Sequence, residues 1–210
     1  MRIVKESEER REEILDVAES LFATKGYTST STNDIIDRVG IARGTLYYHF
    51  KSKEEILDAV VLRFTDSLIN KAEAISLDKS INLIDRIVLT MTSLSSDTNL
   101  GRELLSEIHK NENALLHQKV QDRMLSRVVK IFDRMIEEGN AIGYFNCQYP
   151  YETSDMIITY SYIAFDNDKM ESNINKERLI TGFIRNVEKL LSIEEGSMEK
   201  FFCLKMKYQS

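Results

Sequence analysis

Apolar residues recur along this chain at the spacing of an α-helix. Ile14, Leu15, Ala18, Leu21 and Phe22 mark a first helix, which Gly26 ends, since glycine accepts the left-handed conformation that stops helices. Ser31, with Asp34 three residues on, has the pattern of a capping box opening a short helix through Val39. Gly40 breaks that helix, and Ala42–Phe50 forms another short one. Ser52 is a good N-cap for a long fourth helix, because Glu54 and Glu55 in its first turn suit the positive end of the dipole. Its stripe is Ile56, Leu57, Val60, Val61, Phe64 and Leu68. Further stripes predict helices around Ile81–Met91 and over Leu100–Lys110. A long one from Leu116 to Ile136 is closed by Gly139, and Gly143–Pro150 is a loop. Glu152–Phe165 and Glu177–Leu191 are two more helices, joined by the charged linker Asp166–Asn175.

Composition narrows this to an all-α fold. One proline and eight glycines in 210 residues leave little punctuation for hairpins or βαβ loops. The 28 basic and 34 acidic residues give a net charge of -6, which excludes a protein that coats nucleic acid wholesale but not a local basic patch. Cys147 and Cys203 lie far apart with no CxxC spacing, which argues against a disulfide framework or a zinc cluster and suits a reducing cytoplasm. Met1–Glu13 is densely charged, and the longest charge-free run, Gly139–Tyr151, is short and polar. Neither a secretory signal nor a membrane span is expected.

Specific chemistry is concentrated in Ser31–Phe50, STNDIIDRVGIARGTLYYHF. Two short helices meeting at Val39-Gly40-Ile41 have the layout of a helix-turn-helix, whose second helix enters the major groove of DNA. Ile35, Ile36, Val39 and Leu46 form its inside, leaving Arg43, Thr45, Tyr47, Tyr48 and His49 as candidates on and around the outward face. Gly44 removes a side chain where the helix would press close to the duplex. Thr24–Lys53 holds five basic residues against two acidic ones in a chain that is acidic overall, so the positive patch is local, as a DNA footprint should be. Phe50 is expected in the core, Tyr48 at the DNA. Arg38 and Lys51 read as solvated surface charges.

Residues 8–57 resemble the DNA-binding domain of the tetracycline-repressor (TetR-type) family of bacterial transcription regulators. The resemblance rests on a first helix ending in LFATKGYTSTS, followed by DIIDRVGIARGTLYYHFKSKEEIL. It implies an N-terminal DNA-binding domain over 1–55 and a helical ligand-binding and dimerisation domain over 56–210. Arg43 matches a position that reads a base edge or grips phosphate, and its guanidinium suits guanine bidentately. Gly44, Thr45, Tyr47, Tyr48 and His49 match positions lying against bases or backbone. Thr32 and Lys53, at the starts of helices, match phosphate-gripping positions. One departure is Ala42 where the family often has Ser or Thr, losing a cap worth about 1 kcal/mol.

The C-terminal half carries a concentration of aromatics around the eighth helix. Core packing and a dimer interface account for most of them, while the family keeps its small-molecule pocket in this half. Phe64, Leu68, Met91, Leu105, Leu116, Met124, Tyr160 and Phe165 are the candidate ligand contacts. The nearly all-round apolar character of Leu179–Leu191 predicts a homodimer in which the eighth and ninth helices pack against their symmetry mates. Leu179, Ile180, Phe183, Ile184 and Val187 are its expected contacts. His109 and His117 lie near Glu107 and Glu112, but one continuous helix would hold them about 12 Å apart, too far for one ion. No metal or cofactor is expected. A helical enzyme is disfavoured by the absence of HExxH, GxSxG, phosphate-loop or paired Glu-x-x-His signatures. Two readings remain: a repressor released from a palindromic operator by a small, largely apolar effector, or a DNA-binding protein of the same architecture controlled by a protein partner or serving a chromosomal role.

Overall fold

A computed structural model describes residues 2–95, 98–164 and 173–198. The described residues form nine α-helices and one short 3₁₀ turn, and no strand occurs among them. In chain order they are α1 (Arg2–Lys25), α2 (Thr32–Val39), α3 (Arg43–His49), α4 (Lys53–Leu77), α5 (Leu83–Ser93), α6 (Asn99–Ile108), α7 (Ala114–Ala141), α8 (Pro150–Ala164) and α9 (Asn173–Leu191). The all-α class read from the pattern holds. No helix among the described residues is long and apolar enough to cross a membrane.

Local chemistry sets most boundaries. Asn82 caps α5 by accepting from the Asp85 amide, and Thr98 caps α6 by accepting from that of Gly101. Gly139 does not end α7, which runs on to Ala141. Its function is close approach: a β-carbon there would collide with the Phe145 ring, and the left-handed residue falls later, at Gly143 (φ 72°). Pro150 opens α8 instead of closing the loop before it, since a first-turn position needs no amide donor. His109 and His117 do not share a helix, because α6 stops at Ile108 and α7 begins at Ala114. Their rings meet edge to face with centroids 5.3 Å apart, so the 12 Å separation argued from one continuous helix is wrong. Among the described residues no group of three or more metal-ligating side chains is arranged to hold an ion.

The chain divides into two compact units. The first comprises Met1–Ser67 and Ser96–Gln121. Ile14, Leu15, Phe22, Ile35, Leu46, Phe50, Ile56 and Leu57 are fully buried in its core. Removing each such side chain from water contributes about 1.5–3 kcal/mol. α6 docks against the end of α1, where the Tyr27 amide donates to Glu103 at 2.6 Å.

The second unit comprises Leu68–Ser95 and Asp122–Ser210. Its core draws Ile87 and Val88 from α5, Val128, Phe132 and Ile136 from α7, Ile157 and Ile158 from α8, and Ile180, Ile184 and Val187 from α9. Arg86 is wholly buried within it, donating to the Ser76 carbonyl and to Glu138 at 2.6 Å. Burial alone would raise the Glu138 carboxyl, but hydrogen bonds from Lys79 and Arg86 outweigh it and hold the group below its ordinary value.

Candidate nucleic-acid interface

The α2–α3 pair is built by its caps. Ser31 accepts from the Asp34 amide while Asp34 accepts from that of Ser31, the reciprocal pair of a capping box. Lys25 pairs with the same carboxylate at 2.9 Å, and this bond, followed by those from Ser31, holds Asp34 well below the usual carboxylate range. Gly40 takes the left-handed conformation at φ 76°, and its amide and that of Ile41 both return to the Ile36 carbonyl. α3 starts after Ala42 with no side-chain cap, so the departure noted in the sequence is a missing bond in the structure.

Leu46 and Phe50 are buried, which fixes the rotation of α3. Arg43, Gly44 and Tyr48 then face outward, with Tyr48 71% exposed. Thr45, Tyr47 and His49 flank them, half-buried. A β-carbon at Gly44 would meet nothing within 4 Å, so the chain's own packing does not require glycine there. Thr32, Tyr47 and Arg43 come together as one group. Hydrogen bonding with Thr32, then with Arg43, holds the Tyr47 phenol below its ordinary pKa, and the Arg43 guanidinium lies 5.5 Å from the ring centroid. His49 packs edge-on against Tyr48, and burial, followed by Arg11 and Arg10, pushes its imidazole pKa down.

Lys53 is placed differently from a bare phosphate grip. Its ammonium donates to the carbonyls of Tyr27 and Thr30 at 2.9 and 3.0 Å and lies 4.1 Å from the Tyr27 ring centroid. It thereby pins the loop that leads into α2. Burial, followed by Glu54, Glu107, Glu112 and Asp58, pushes the Tyr27 phenol up to about 12. Sequence reasoning missed this brace and the Arg11 guanidinium 5.0 Å from the Phe50 ring, because the partners lie tens of residues apart with no periodic signal.

The candidate ligand contacts are divided between the two units. Met91 lines a small apolar cavity of the second unit, while Tyr160 lines an open groove between α8 and α9, stacked on Phe183. Met124 packs against that unit's core, and Leu68 is half-buried within the same unit. Phe64, half-buried, Leu105, exposed, and Leu116, buried, belong to the first unit. Phe165 lies outside the described residues. Of the expected dimer contacts, Ile180 and Ile184 are buried in the chain's own core, Leu179 lines the open groove, and Val187 and Phe183 reach both the core and the groove.

Residues 14–60 match the model of "Bacterial regulatory proteins, tetR family", and residues 96–183 match that of "Tetracyclin repressor-like, C-terminal domain". Over 62 residues the chain is 47% identical to the HTH-type transcriptional repressor KstR2 of Rhodococcus jostii, a span of 30% of each chain. It is 31% identical over 136 residues to the HTH-type transcriptional regulator AcrR of Shigella flexneri, 62% of each chain. With the KstR2 proteins of three species the matched span is 30–42% of those relatives' own length. The crystal structure of a TetR-family regulator from Pectobacterium atrosepticum superposes with a TM-score of 0.62 over 89% of this chain and 94% of that one, at 20% identity, a likeness of fold. These relatives are transcriptional regulators, not enzymes. With one family model on the helix-turn-helix and another on residues 96–183, the chain belongs to the tetR family of bacterial regulatory proteins.

Proposed function

We propose that this protein is a cytoplasmic, dimeric transcription regulator, a repressor that leaves a palindromic operator when a small, largely apolar molecule binds its C-terminal half. The observation that carries the reading is the orientation of α3. Leu46 and Phe50 bury one side and leave Arg43, Gly44 and Tyr48 outward on a locally positive surface. Arg43 reads a guanine edge bidentately, and Thr32 and Tyr47 hold the backbone beside it. The name of KstR2, a repressor, supports repression.

The groove between α8 and α9 supports dimerisation. Met156 is 61% exposed and Tyr160 48%, an apolar surface that a second copy would cover. Two-fold symmetry then presents two recognition helices roughly 34–36 Å apart, one turn of DNA. The ligand acts by its preference for the DNA-incompetent state, typically about 1–3 kcal/mol of coupling.

An unbiased selection of bound sequences from random duplexes tests the reading. The expected result is a two-fold symmetric motif whose half-sites lie about one helical turn apart. Recovery of no preferred sequence would overturn it.

A further inference from the structure

Among the described residues, the small cavity in the second unit is lined by apolar side chains alone. Its walls include Ile87 and Met91 of α5, Phe132 of α7, Ile157 of α8 and Ile184 of α9, and Met198 completes it. The space is about 30 Å³, whereas benzene fills an apolar cavity of roughly 150 Å³. As closed, it has no room for an organic molecule.

Among the described wall residues, Met198 is the one that does not come from a helix. It stands in the turn that follows α9, yet is only 4% exposed. Two side chains of α9 hold that turn: Arg185, whose Nε pairs with Glu195 at 3.3 Å, and Glu188, itself 1% exposed, which takes most of the bonds. The carboxylate accepts from the Gly196 amide at 3.0 and 3.1 Å, from the Met198 amide at 2.9 Å, and from Arg185 at 2.9 Å. Burial would raise the group, but these bonds outweigh it and keep the carboxyl below its ordinary value. Gly196, at φ 95°, supplies the left-handed residue that lets the chain turn onto the carboxylate.

A buried anion is a costly way to close a core that another apolar side chain would fill, because its desolvation must be repaid by every bond it makes. Here those bonds hold a seven-residue turn that ends in a methionine, the most adaptable of apolar side chains. We propose that the cavity is the effector site, that residues 192–198 are its lid with Met198 as the plug and Glu188 as the latch, and that its ligand is an uncharged, hydrocarbon-like molecule of fused-ring size. This rests on the reading above that an effector binds the C-terminal half. The described wall residues offer no partner for a carboxylate or ammonium, so a charged ligand would enter unsatisfied.

The experiment titrates the full chain with naphthalene and, separately, with 2-naphthoate, and follows amide exchange at Gly196 and Met198. Naphthalene is expected to bind and 2-naphthoate not to. Saturation with naphthalene is expected to accelerate exchange of both amides, because the lid must open for the plug to leave. Glu188→Gln weakens the latch, and Gly196→Ala strains the turn without touching the cavity wall. Each is expected to tighten naphthalene binding about tenfold by raising the open fraction. If naphthalene binds while both amides stay protected, if neither variant binds it more tightly than the parent chain, or if none of the three proteins binds it, the proposal falls. Operator affinity is measured on the same samples: if naphthalene opens the lid but leaves operator binding unchanged, the lid stands and release by an effector fails.

Discussion

Lys53 and Tyr27 are joined twice: the ammonium lies 4.1 Å from the centroid of the tyrosine ring and donates to the carbonyl of the same residue at 2.9 Å. With its bond to the Thr30 carbonyl, this makes the first residue of α4 a brace for the loop that presents α2. Lys53→Ala is therefore expected to lower stability, by about 1–3 kcal/mol for lost bonds to a charged donor. It should weaken DNA binding through a misplaced α2. The salt dependence separates this from a phosphate contact. An internal brace leaves the slope of log affinity against log salt unchanged, while loss of a phosphate contact flattens it by about 0.9.

Arg43, Tyr47 and Thr32 form a second linked group. Arg43→Ala is expected to cost about 1–3 kcal/mol of operator affinity and to relax preference at one base pair. Tyr47→Phe should keep the ring beneath the guanidinium but remove the hydroxyl that links it to Thr32. Its loss should be smaller and equal across sequences. Affinities for an operator and its single-base variants, measured for both proteins, check the contrast.

What could be read ahead of the structure followed the range of each interaction. Ser31 and Asp34 are three residues apart, and Gly40 stops its own helix, so the helix-turn-helix was legible from neighbours alone. The brace from Lys53 to Tyr27 spans 26 residues and follows no period, so nothing local marked it. His109 and His117 misled because the spacing argument assumed a helix that the 3₁₀ turn Asn111–Asn113 interrupts. In α9 the apolar stripe is wider than one face, and periodicity cannot divide it. Only packing shows Ile184 turned to the core and Leu190, 40% exposed, turned away.

His49 gives the fold a dependence on pH. Its imidazole lies below the ordinary value of 6.5, through burial first and then Arg11 and Arg10. Between the folded value and 6.5 the unfolded chain binds a proton that the folded chain refuses, so stability rises with pH through that window and is lost as pH falls below 6.5. Urea midpoints from about pH 5 to about pH 7.5 are expected to show this slope in the parent chain and a shallower one in His49→Gln. A phosphate near the ring favours the imidazolium, so operator DNA should reduce the slope as well.

Gly182 lies in the middle of α9 on the open groove, where a β-carbon would meet nothing within 4 Å. Within one chain it is a defect, since glycine in an exposed helix interior costs about 1 kcal/mol relative to alanine. If a second copy covers the groove, the missing side chain is what lets two helices approach closely. The two effects oppose each other. Gly182→Ala is expected to raise the stability of the isolated chain by about 0.5–1 kcal/mol while weakening the dimer. Met156→Lys puts a charge on a side chain that is 61% exposed in the single chain, so it should break the dimer with little cost to folding. Sedimentation equilibrium, with urea unfolding of each variant at a concentration where it is monomeric, separates the two quantities. A parent protein that is monomeric at micromolar concentration, or a Gly182→Ala dimer at least as tight as the parent's, would show that the α8–α9 groove is not the dimer contact.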